Sequence, residues 1–297
     1  MQLEQSIDCT LQEWTDLKLN NLRIDRKQRI TEDIFSSLKL GEAESITGTC
    51  LAKHSITAEL RSRMIDWMIE VLAQYRTSGQ TFFLAVKIMD KYFQKCTESL
   101  PATKLHLVGV TSMFIASKFE DIYSLRLKIV YEKIAHKRLS EKSIRKMEQK
   151  ILRTLKFDLA IPNCADFLGY LCEIVNPSLA IRRTAELILV LLQIYYNTGL
   201  LPSQEATAAL IIAANSLRQE RLVPKILDAS ECSEFDMAFV VDRILRGIYD
   251  FPRNLGSFKS AMKFLGFSLI LRTPGPLFVF EDLDVQADQE QLLTIFN

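Results

Sequence analysis

Glycine, proline and cysteine are all scarce in this chain, and each scarcity removes a class of function. Only 10 glycines and 8 prolines occur in 297 residues, and no two glycines lie closer than Gly41 and Gly48. Loops that cradle phosphate need clustered glycines, because only bare backbone approaches the oxygens closely enough. The Walker, dinucleotide and kinase glycine loops are therefore absent. The six cysteines (Cys9, Cys50, Cys96, Cys164, Cys172 and Cys232) never take the short spacing of a zinc clip or a redox pair. They read as reduced thiols, most of them core filler. His54, His106 and His136 are too far apart for a helical pair of metal ligands. No G-x-S-x-G elbow occurs. Neighbouring acids Glu32–Asp33 and Glu120–Asp121 point in different directions on a helix, which suits caps or surface charge better than acid–base work. Nothing in the chain argues for an enzyme, a metal or a cofactor. It also lacks an apolar run of about 18 residues and a basic, apolar leader, so neither a membrane span nor a signal peptide is expected. The expected location is nucleus and/or cytoplasm.

Charge is nearly balanced overall, at +1, but unevenly divided. Residues 1–162 hold 26 Lys/Arg against 20 Asp/Glu, whereas residues 163–297 hold 11 against 16. A uniformly basic coat for nucleic acid is not expected. One local surplus runs from Arg126 to Lys156, where 11 basic residues meet only Glu132, Glu141 and Glu148. Two readings of it stand: a solvated helical face, or a surface for phosphate or acidic partners.

Hydrophobic residues make up 48% of the chain and recur at three-to-four-residue spacing, with almost no two-residue alternation. That periodicity predicts an all-α fold. From Glu59 to Arg76, Leu60, Met64, Trp67, Met68, Val71, Leu72 and Tyr75 share one side of a helix, leaving Arg61, Glu70 and Gln74 towards its flanks. Further helices are predicted over Thr81–Cys96, Ala102–Phe119, Leu125–His136 and Ser140–Lys156. The third is apolar almost all round and belongs at the centre of a bundle, with small residues such as Gly109 admitting close neighbours. Ile161–Pro162 ends this unit. A second set follows: Asn163–Val175, Ala180–Asn197, Ser203–Gln219, a short Pro224–Ala229 and Phe235–Tyr249. Residues 88–93 faintly echo 191–196, and 113–116 echo 210–213, which suggests a duplicated five-helix unit. Two apolar helices can look alike without common origin, so the echo alone leaves duplication open.

The stretch Leu60-Arg61-Ser62-Arg63-Met64-Ile65-Asp66-Trp67-Met68-Ile69-Glu70-Val71 resembles the first helix of the cyclin box. Matches follow in order at residues 84–93, 104–109, 116–123 and 147–148 with 155–159. Ordered matches over about 100 residues are far more specific than one short motif. Residues 30–35 resemble the N-terminal helix of mitotic A/B-type cyclins. The resemblance implies two tandem five-helix cyclin-box bundles preceded by an N-terminal helix. Its domains would be an arm over 1–55, a first box over 56–162, a second box over 163–250 and a tail over 251–297. It implies a regulatory subunit that binds and activates a cyclin-dependent serine/threonine protein kinase, in cell-cycle control, with no active site or cofactor of its own.

Carried over residue by residue, Lys118 and Glu148 match the charged kinase contacts, and Ile34, Phe119, Phe157 and Leu159 the apolar ones. Arg61 and Asp90 match a buried structural ion pair. Leu60, Met64, Trp67, Glu70 and His106 match the patch that holds R-x-L substrate and inhibitor peptides. Here the sequence departs from the pattern: Arg63 stands where an apolar residue is expected, and His106 where glutamine is common, so the groove is expected to be narrowed, electropositive or differently selective. No R-x-x-L destruction box occurs. Two other readings remain at this level, a transcription-factor IIB-like nucleic-acid adaptor and a cyclin-fold scaffold that activates no kinase. The first would normally add a cysteine-rich ribbon, and the presence of Lys118 and Glu148 argues against the second.

Overall fold

Side-chain caps decide where most of these helices begin. The computed structural model describes residues 33–45, 47–195 and 198–255. In it, the hydroxyls of Thr57, Ser78, Ser140 and Ser178 each accept from a backbone amide one turn on, starting α1 (Ala58–Gln74), α2 (Gly79–Lys95), α5 (Glu141–Thr154) and α7 (Leu179–Ile194). Asn163 and Asp166 form a reciprocal capping box at α6 (Cys164–Val175). Each such cap satisfies amides that the helix itself leaves unpaired, at about 1 kcal/mol apiece. Between these lie α3 (Leu105–Glu120) and α4, a turn of α-helix at Leu127–Ile129 passing into a π turn at Val130–Ile134. The second set is completed by α8 (Pro202–Ser216), α9 (Val223–Ser230) and α10 (Glu234–Leu255). No strand forms among the described residues, and the fold is all-α; one isolated bridge pairs Ser55 with Pro101.

Each set of five wraps its third helix. On α3 every residue from Leu105 to Ser117 is buried except His106, and on α8 every residue from Pro202 to Asn215 except Gln204. α3 packs against α1, α2 and α5, and α8 against α6, α7, α9 and α10. A Cβ on Gly109 would overlap the Met64 side chain of α1, so this glycine sets how closely the two helices approach.

Three details depart from the sequence expectations. α4 begins at Leu127 rather than Leu125, because the Leu125 amide is taken by the Ser117 hydroxyl and Arg126 is extended. α10 continues to Leu255, past Tyr249. Arg61, set on a flank by spacing though buried by the family resemblance, is 4% exposed, because α1 is buried on its far side as well, against α7. With so little glycine, helix ends use other residues in the left-handed region: Arg76, Asn176, Arg218 and Glu231 singly, and His136–Lys137 and Lys156–Phe157 as consecutive pairs. Each costs about 1 kcal/mol or more.

By its contacts the chain divides into residues 1–40 and residues 41–297. In the first, the described part is helical from residue 33, with Phe35 buried and Ile34 50% exposed. All ten helices above lie in the second. Most of the expected tail, residues 256–297, lies outside the described residues, as does Cys9.

Candidate functional site

The first candidate surface lies where α3 ends against α5. Lys118, in the last turn of α3, donates to the Glu148 carboxylate on α5. Its side chain is 39% exposed and that of Glu148 15%. The Lys118 ammonium also sits 4.2 Å from the centroid of the Phe114 ring, a cation–π contact. Burial lowers the Lys118 pKa from its ordinary value, yet the carboxylate and ring face the charged form. The pair is a fixed polar feature in apolar surroundings.

Large apolar side chains stand out around it in the chain. Phe119 and Phe157 are 55% and 68% exposed, so neither is a core residue, and Leu159 is half-buried. Ile122 and Tyr123 are more exposed still, at 93% and 94%. Sequence reasoning gave neither a role, although both fall in the quoted 116–123 motif. Where exposed apolar side chains gather into one patch, they mark an interaction surface.

The loop carrying them is held by one carboxylate. Asp121 Oδ1 accepts from the Ser78 amide at 2.9 Å and the Thr81 hydroxyl at 2.8 Å, and Oδ2 from the Ser117 hydroxyl at 2.8 Å. Ser117 in turn accepts from the Leu125 amide at 2.9 Å. Both ends of the loop are thereby tied to α2 and α3, which presents Ile122 and Tyr123 without burying them. Phe157 is presented by backbone strain instead, since it and Lys156 both have positive φ, 60° and 56°.

The second surface is a groove of about 400 Å³ between α1, the start of α3 and the segment after α4. Leu60, Arg63, Met64 and Trp67 form its α1 wall, and His106 lines it from α3. The Trp67 and His106 rings lie 5.3 Å apart at 58°. Glu70, assigned to this patch from sequence, is not among the residues lining the groove: it is exposed one turn beyond Trp67, where that wall has ended. Sequence reasoning missed the opposite wall: Ile134, which ends the π turn, then Ala135, His136 and Arg138. Arg63 does line the groove, but its guanidinium is held 2.7 Å from Glu59, one turn back on α1. Burial first, then the charges of Arg138 and His136, lower the His106 pKa below its ordinary 6.5.

Arg61 and Asp90 meet as a two-pronged ion pair, Nε to Oδ1 at 2.9 Å and Nη2 to Oδ2 at 2.6 Å. Both are almost fully buried. Arg61 Nη1 donates further to the carbonyls of Gln193 and Tyr195, and the Ser62 hydroxyl to that of Ile194. One residue of α1 thus closes an ion pair within the first set of helices and caps the end of α7 in the second.

Among the described residues, no group of three or more His, Cys, Asp and Glu is placed to hold a metal, and no helix is long and apolar enough to cross a membrane.

Known proteins resemble the chain in sequence and in fold. Residues 33–160 match the family described as Cyclin, N-terminal domain. The G2/mitotic-specific cyclin-B1 of Xenopus laevis is 28% identical over 226 residues, which is 75% of this chain and 56% of that protein. The G2/mitotic-specific cyclin-B of Hydra vulgaris is 26% identical over 288 residues, 92% of this chain and 78% of that protein. The chain thus spans little more than half the length of the first of these. In fold, the X-ray structure of a viral cyclin from herpesvirus saimiri superposes with a TM-score of 0.64 at 19% identity, covering 73% of this chain and 97% of that one.

Proposed function

The chain is a cyclin-family protein close to the mitotic A/B types, and from that premise we propose that it binds and activates a cyclin-dependent serine/threonine protein kinase. Cyclins are regulatory and carry no active site, so the work is done by shape. A protein kinase transfers phosphate only when its β3 lysine meets the glutamate of its αC helix and its activation segment is open. A rigid surface that fits this conformer better than the inactive one shifts the population towards it.

The observation that carries the reading is the Lys118–Glu148 pair at the junction of α3 and α5, with exposed Phe119 and Phe157 on the segments that follow those two residues. We assign Lys118 and Glu148 to polar contacts with the kinase, and Phe119, Phe157, Leu159 and Ile34 to apolar ones. Ile122 and Tyr123 join them on grounds of exposure. Turning a kinase from 1:99 to 99:1 in favour of the active form requires about 5.5 kcal/mol of differential binding. Three anchors of about 2 kcal/mol each would supply it. The groove at Trp67 and His106 is assigned to peptide docking, with Leu60 and Met64 on its α1 wall, and Arg61–Asp90 to folding.

Affinity purification of the tagged chain, followed by partner identification and a histone-type phosphorylation assay, tests the proposal. The expected result is a cyclin-dependent kinase whose activity depends on the added chain. Recovery of no kinase, with tight salt-sensitive DNA binding instead, would reject it.

A further inference from the structure

The groove and the basic helix beside it differ in character from a site built for basic peptides. Its two walls are apolar at Leu60, Met64, Trp67 and Ile134, but the far one ends in Arg138. Two residues on, Ser140 caps α5, whose first turns carry Lys142, Arg145 and Lys146, all exposed. None of Arg138, Lys142, Arg145 and Lys146 is in an ion pair among the described residues. The acids of this stretch do not offset them: Glu148 is engaged with Lys118, leaving Glu132 and Glu141. Glu70, which would favour a basic ligand, does not line the groove, and Glu59 is engaged with Arg63. Part of the positive surplus found in the sequence between residues 126 and 156, from Arg138 into the first turns of α5, therefore follows in the chain directly on the wall of an apolar groove.

We infer that the groove takes an acidic linear segment of a partner protein, one or two aliphatic or aromatic side chains resting on Trp67 and Met64 and carboxylates running past Arg138 onto the start of α5. This rests on the docking role proposed for the groove and names its ligand class. Complementary charge selects the ligand, and the buried apolar anchors hold it.

Fluorescence anisotropy on the full chain tests it, using synthetic peptides of about 12 residues, enough to reach some 40 Å when extended. All carry a central Leu-x-Phe, flanked in one case by Asp and Glu and in the other by Lys and Arg. The acidic probe should bind about tenfold tighter or more, and the difference should collapse near 1 M salt, where charges are screened within about 3 Å. Arg138→Glu with Lys142→Glu should reverse the preference, and Trp67→Ala should weaken the acidic probe. Equal binding, tighter binding of the basic probe, or indifference to the double reversal would overturn the inference. So would displacement of the acidic probe by a short single-stranded oligonucleotide at matching affinity, which would assign the basic strip to nucleic acid. Kinase capture is read on the same proteins. Retained capture by the Arg138→Glu/Lys142→Glu chain with reversed probe preference supports both proposals. Probe preference without any captured kinase supports this one and rejects the other.

Discussion

If Lys118 and Glu148 serve a partner and not merely each other, exchanging their charges should separate the two roles. Lys118→Glu places two carboxylates where an ion pair stood, with side chains 39% and 15% exposed. Coulomb's law at an effective dielectric near 20 gives about 4 kcal/mol for unit charges 4 Å apart, but net values for partly solvated pairs fall near 1 kcal/mol. A single reversal should therefore cost about 1–2 kcal/mol, against a total stability of about 5–15 kcal/mol. For a protein of this size that lowers Tm by about 2–8 °C and leaves it folded. At an interface, losing a charged anchor of 2 kcal/mol or more weakens binding about 30-fold. The double exchange, Lys118→Glu with Glu148→Lys, restores the internal pair but presents the wrong signs outward. Tm should return to within a degree or two of the native value while kinase capture stays lost. Calorimetry and surface plasmon resonance against a panel of purified cyclin-dependent kinases would read the two quantities. Recovery of full capture in the double exchange would refute the assignment, because the pair would then matter only to the fold.

Asp90→Ala should cost about 3–5 kcal/mol in urea denaturation, since Arg61 is left buried without its counter-ion; a loss below 1 kcal/mol would mean water replaces the carboxylate. Trp67→Ala should weaken peptide docking with kinase capture unchanged, and loss of both would make Trp67 plain core. Gly109→Ala should destabilise by about 1–3 kcal/mol and impair docking, because the new methyl displaces Met64, a wall of the groove; unchanged docking would show that Met64 finds another rotamer. His106 should titrate by NMR below 6.5, and Arg138→Glu should raise its midpoint, because burial and the Arg138 charge both disfavour its proton. The unfolded chain takes up that proton near 6.5 and the folded chain only at lower pH. Its contribution to stability is therefore present above about pH 6.5 and lost as pH falls through the window below it. A midpoint at or above 6.5 would contradict the geometry.

The helical periodicity was legible because one residue in three or four is a local signal, and it located both buried helices, α3 and α8. The family motifs pointed to Lys118 and Glu148, 30 residues apart, which the fold brings into contact. Other features had no local signature. The Arg138 wall depends on a π turn, and nothing in the apolar spacing of 125–136 distinguishes that turn from ordinary helix. Asp121 read as a cap or surface charge; that it gathers three donors depends on α2 arriving beside it. Glu70 entered the patch through the family resemblance, whereas its spacing sets it on a flank of α1; a groove is bounded by its opposite wall, which spacing on one helix cannot reveal. The exposure of Phe119 and Phe157 was equally invisible, since an aromatic at a helix end suits core and interface alike.

Arg61 and Ser62 sit 132 residues or more from the carbonyls they serve. The last turn of α7 is therefore finished by atoms from the first set of helices, and the guanidinium that finishes it is neutralised by Asp90 on its own side. Neither half is self-sufficient. Cleaved near residue 162, one fragment would carry a buried cation with part of its donors idle and the other three carbonyls with nothing to accept from. Melting should accordingly proceed as one cooperative event, and strain felt at the second set of helices has a direct mechanical route to α1, which also lines the groove at Trp67.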